Sequence, residues 1–264
     1  LARSQSWESV IDLYGRYPII RTLGDGIGGA SDAAAIHVAT ALLAENRPAE
    51  IPGFVRPPAL TNWSPALYML LLQSATQLLR DDRSAEAKGI FERLAGVASE
   101  MEGGSLEKSV FLEVKRRQGH CLQRGGEFER ARRVFEELLS QNPEPGVKAM
   151  ILTDMGLIDA RLRSLPDVKL PVTKDKRDAF AAALSKGRDH FEKAARLKVY
   201  YSGHANMPLG VLALVGEDWD DAVAFLDDAH AVFMAEQERY RTGGLLETTE
   251  LYLGVALFLA LREE

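Results

Sequence analysis

GHCLQRGGEFERARRVFEELLSQNP, residues 119–143, is the stretch on which the fold turns. Apolar residues recur at helical spacing on both sides of Gly125-Gly126, and Pro143 closes the second run. Each run has one apolar stripe to bury, so the break between them predicts two helices packed back to back.

The same interval recurs further along. Gly119 stands as far from Ala131 as Gly210 does from Ala222, and Leu209-Gly210 leads into Trp219, Ala222, Leu226 and Ala229. A third hairpin is expected from Ala75, Ala87 and Phe91, within helices at Ala66–Leu79 and Ser84–Ser99. Met155-Gly156 with Gly187, Phe191 and Ala194 reads as two halves of a unit interrupted by SLPDVKLPVTKDK, a charged segment expected to face solvent. Leu253-Gly254 opens one more. Small residues where helices approach and large ones between hairpins account for the pattern sterically.

Gly119, Leu122, Ala131, Phe135 and Pro143 fall in register with a tetratricopeptide (TPR) repeat, W-x2-L-G-x2-Y then A-x3-F then P, and the unit resembles that family. Phe128 takes a further aromatic slot, whereas Lys115 and Gln118 replace the Trp and Leu. Phe91 to Phe135 and Gly210 to Gly254 span 44 residues and Phe191 to Leu226 only 35, irregular like the extended repeats of kinesin light chains and bacterial regulatory TPR proteins. The resemblance implies an all-α fold, a right-handed superhelical solenoid of antiparallel helix pairs over 65–264. Residues 1–64 then form a helical cap and a Pro/Gly-rich connection. Pro48, Pro52, Pro57, Pro58 and Pro65 read as an extended boundary. Ahead of it come a short helix at Trp7–Tyr17 and another from Ser31 to about Glu45.

Composition bounds the function. Hydrophobic residues make up 46% and charged residues 27%, an ordinary composition for a chain that buries a core. The formal net charge of -6 argues against nucleic acid as a partner. One cysteine, Cys121, excludes a disulfide framework and fits a reducing compartment, so the expected location is cytoplasmic. No apolar run reaches the roughly 18 residues of a membrane helix. A chain that starts on Leu1 rather than Met reads as trimmed or as a portion of a longer protein.

In TPR proteins the first helix of each pair lines the groove that holds a peptide. The resemblance therefore points to Arg116, Arg117, His120, Gln123 and Arg124 as a basic stripe for an acidic segment or terminal carboxylate, the alternative being a solvated face paired with Glu113, Glu127 or Glu129. The matching positions Met207, Val211 and Leu214 suit an apolar partner surface or the protein's own core. Together they imply an acidic or amphipathic peptide. The Lys and Asn arrangement of co-chaperone TPR domains is absent.

Catalytic patterns are weak. Gly24, Gly26 and Gly29 fit G-x-G-x-x-G, but the prolines that follow disqualify the second strand a dinucleotide site needs. Glu217, Asp218, Asp220 and Asp221 suit the start of a helix better than a metal, and the five histidines lack zinc spacing. Cys121 reads as buried and structural. No cofactor, metal or enzyme activity is expected. The expected function is a protein- or peptide-binding scaffold, with a regulatory or sensor portion of a larger protein, or a nucleotide-binding enzyme using Gly24–Gly29, as alternatives. Leu251 to Leu261 is apolar around nearly its whole circumference. Leu251, Phe258 and Leu261 are therefore expected to make a homodimer contact or to meet a further part of a longer chain.

Overall fold

The computed structural model describes residues 30–45, 47–51, 65–81, 83–101, 108–235 and 244–263. Every regular element among them is a helix, and none is long and apolar enough to cross a membrane. Trp7–Tyr17 and Gly24–Gly29 lie outside the described residues, as do Pro52, Pro57 and Pro58. The chain divides into two compact units, Leu1–Cys121 and Leu122–Glu264.

The first unit contains α1 (Ala30–Ala44), α2 (Pro65–Arg80), α3 (Ser84–Met101) and the first part of α4 (Lys108–Arg124). Pro65 opens α2, where its missing N–H costs nothing. Tyr68, Leu71, Leu72, Ala75, Leu78 and Leu79 bury one stripe of α2, and Ala87, Ile90, Phe91, Leu94 and Ala95 answer from α3. The Tyr68 hydroxyl donates to the Leu94 carbonyl at 3.3 Å, and burial pushes its phenol well above the usual range. Pro48 does not sit in the extended connection expected of it: Pro48–Glu50 is a 3-10 turn whose Pro48 carbonyl accepts from Ser74 Oγ at 2.9 Å, with Ile51 fully buried.

The second unit holds α5 (Phe128–Ser140), α6 (Pro145–Asp159), α7 (Lys174–Leu184), α8 (Arg188–Ala195), α9 (Gly203–Val215), α10 (Trp219–Ala235) and α11 (Leu245–Glu263). α5 packs on α6, α6 on α8, α8 on α9, α9 on α10 and α10 on α11, while α7 lies against α6 and α9. Ala131, Phe135 and Leu138 are the buried stripe of α5. A methyl placed on Gly210 meets Leu226 Cγ at 2.6 Å, so the glycine is what lets α9 and α10 touch. Gly156 and Phe191 stand in the same relation at 2.4 Å, and Gly187 abuts the Gly156 backbone. The two halves of the interrupted unit therefore pack together.

One helix stop recurs in both units. The amide five residues on bonds back to a late helix carbonyl at Arg47→Leu42 (2.7 Å), Arg83→Leu78 (2.8 Å), Glu127→Leu122 (2.8 Å), Leu162→Leu157 (2.8 Å) and Asp218→Ala213 (3.0 Å). The residue before three of these amides is left-handed: Gly126 at φ 78°, Arg161 at 58° and Glu217 at 61°. Both features define a Schellman stop.

The interruption is more structured than a solvent-facing loop. Leu165–Asp167 forms a 3-10 turn, Val168 is fully buried, and the Leu170 amide donates to Tyr252 Oη at 2.6 Å. α7 follows, with Leu184 buried and its Lys174–Ala179 segment exposed. Apolar anchors at Val168 and Leu184 flank the charged middle, which faces solvent as expected.

Candidate functional site

Three of the basic positions sit on α4 within the first unit, around a single acid. Residues three and four apart on a helix are neighbours, so Glu113, Arg116, Arg117 and His120 meet as a consequence of spacing alone. Arg116 is buried; its Nε and Nη2 donate to the Glu113 carboxylate at 2.9–3.1 Å. Arg117 Nε donates to Glu113 Oε1 at 2.7 Å, and His120 Nε2 lies 3.5 Å from Arg116 Nη1. Burial alone pushes the Glu113 carboxyl up, but the adjacent charges of Arg116 and Arg117 outweigh it and hold it below its ordinary 4.5. Two guanidiniums thus share one carboxylate. Cys121, the next turn along, is buried.

Gln123 and Arg124 belong to the second unit. Gln123 is buried and donates Nε2–H to the Leu162 carbonyl at 3.1 Å, which ties the end of α4 to the end of α6. Arg124 is half-buried in the last turn of α4. Met207, Val211 and Leu214 lie in the core of this unit, packed with residues such as Leu209, Leu226 and Phe233. Of the two readings open to these three, core and partner surface, the structure places them in the core. α9 is buried on nearly every side, so no face is left for them to line a groove.

Leu251, Phe258 and Leu261 are exposed on α11, opposite a buried side of Leu245, Thr249, Tyr252 and Ala256. Arg262 lies over the Phe258 ring at 5.6 Å. The acidic run is a helix start: Glu217 occupies the left-handed turn position, and Asp220 and Asp221 lie in the first turn of α10, where carboxylates suit the helix dipole. Among the described residues no three His, Cys, Asp or Glu side chains converge as a metal site.

Asp159 is a polar hub that linear spacing does not reveal. It closes an ion pair with Arg132 of α5 and accepts from His190 Nδ1 of α8 at 2.9 Å, all three part-buried. Burial pushes the His190 pKa down, and Lys193 acts in the same direction, while Nδ1–H donates to the Asp159 carboxylate. The contacts bridge 27 and 31 residues of sequence. A signal was present: Asp159 follows Gly156, and His190 follows Gly187, by three positions, placing both near the face where those glycines meet.

No known family model matches the sequence, and comparison with curated proteins finds no significant relative.

Proposed function

We propose that this chain is a non-catalytic scaffold that holds an acidic protein or peptide segment, built as a right-handed superhelical stack of TPR-like helix pairs with the N-terminal helices as a cap. The observation that carries the reading is the Glu113 cluster. Arg116 is buried and fixed, Arg117 is partly exposed, and their shared carboxylate is reachable from solvent. A guanidinium pairs with carboxylates through two parallel donors, so an incoming acidic side chain or chain terminus competes for the position Glu113 occupies. In a TPR-like stack α4 is a first helix, and its outward face lines the groove.

The test is a fluorescence anisotropy titration with labelled peptides ending in acidic, amidated or basic residues. Acidic peptides should bind saturably and lose affinity as salt rises. Arg117→Glu should abolish the preference, whereas Glu113→Gln, which removes the internal competitor, should tighten binding. A preference unchanged by Arg117→Glu, with circular dichroism showing an intact fold, refutes the proposal.

A further inference from the structure

Three glycines begin analogous units of the second compact unit, and they differ in what fills the space beside them. Gly156 takes the Phe191 ring and Gly210 takes Leu226, each closer than any Cβ would tolerate. Gly254 follows a leucine just as Gly210 does, yet a methyl built on it finds nothing within 4 Å. Glycine is a poor residue for the middle of an exposed helix. Its notch is open on the side of α11 that faces away from α10.

That side is also the apolar one. Leu251 is 63% exposed, Phe258 60% and Leu261 71%, with Val255 at 42% and Leu257 at 45% beside them. They leave on the order of 400–500 Å² of apolar surface on one helix, the size of the largest apolar patch on a typical monomer, which is often a functional one. Two such faces amount to roughly 800–1,000 Å², the size of a small, concentration-dependent interface.

We infer that α11 pairs antiparallel with α11 of a second copy of this chain, the two helices crossing at Gly254. The charges select this occupant. Glu247 lies at one end of the apolar strip and Arg262 at the other, both exposed. An antiparallel pairing centred between Gly254 and Val255 sets Leu251 opposite Phe258 and Glu247 opposite Arg262, twice over by symmetry. The surface is therefore complementary to itself, as a twofold contact requires. The glycine at the crossing admits close approach of the backbones, and the large side chains interlock on either side.

Sedimentation equilibrium on the whole chain at about 1–100 μM tests the pairing by mass action. The wild type should approach twice its 29.1 kDa mass as concentration rises. Gly254→Leu has open space within the chain, so its circular dichroism should match the wild type while association weakens by at least roughly 30-fold, as for loss of a central contact. Glu247→Arg and Arg262→Glu should each be monomeric alone and associate when mixed, because only the mixed pair restores both charge contacts. A wild type that stays monomeric across the range overturns the proposal, whether another protein or another chain segment covers the face. A dimer indifferent to Gly254→Leu, or no association on mixing the charge variants, overturns it equally.

Discussion

Gly156→Ala is the substitution that most directly weighs the helix contact against helix propensity. The new methyl carbon arrives 2.4, 2.6 and 2.8 Å from three atoms of the Phe191 ring. Carbon atoms prefer about 3.5–4.0 Å, so ring or helix must retreat by roughly 1 Å. Phe191 is fully buried and Gly187 already touches the Gly156 backbone, so there is little room for the retreat. Overpacking of this kind costs about 1–3 kcal/mol, against which alanine's helix propensity returns about 1 kcal/mol. A net loss of up to about 2 kcal/mol should appear in thermal denaturation followed by circular dichroism, each kcal/mol moving the midpoint by about 2–4 °C. Gly89→Ala is the control: that glycine is exposed within α3 with nothing within 4 Å, so the midpoint should rise. In a Phe191→Leu background the Gly156→Ala penalty should shrink by at least half. If Gly156→Ala raises the midpoint as Gly89→Ala does, the close packing of α6 on α8 is refuted.

Other positions test separate parts of the reasoning. Tyr252→Phe removes the acceptor of the Leu170 amide and should cost about 1–2 kcal/mol, with faster proteolysis between α6 and α8; unchanged cleavage would show that the anchor does not hold. Glu217→Gly relieves a left-handed turn residue that is exposed, and should stabilise the fold by about 0.5–1 kcal/mol, raising the denaturation midpoint; a lower midpoint contradicts the turn geometry. Glu113 has a folded pKa below its ordinary 4.5, so its contribution is present above that value and is lost as pH falls through the folded pKa. Urea titrations from neutral pH to pH 3 should therefore show less acid loss for Glu113→Gln than for the wild type.

The sequence is legible where a residue type has one steric use. Gly210 opposite Leu226, and Gly156 with Phe191 across the interruption, are deducible because nothing larger than glycine fits. The stops at Arg161 and Glu217 are not legible, since the backbone takes a left-handed angle there without glycine, and the adjacent Gly216 stays right-handed. α7 is hidden because Lys174–Asp178 reads as a solvated run, and its anchors Val168 and Leu184 lie beyond it. At the candidate site, Glu113 with Arg116 and Arg117 follows from helical spacing. The burial of Met207 and Val211 does not, because a helix apolar on most sides looks the same whether a neighbour or a partner covers it.

The Leu170–Tyr252 hydrogen bond joins residues 82 apart. During synthesis at about 5–20 residues per second, the Leu170 amide waits roughly 4–16 s before its acceptor has even been made. Until then the segment between α6 and α8 lacks this clasp, so a nascent chain is open to proteases there after the helices before it have begun to pack. Completion of α11 is the event that closes it.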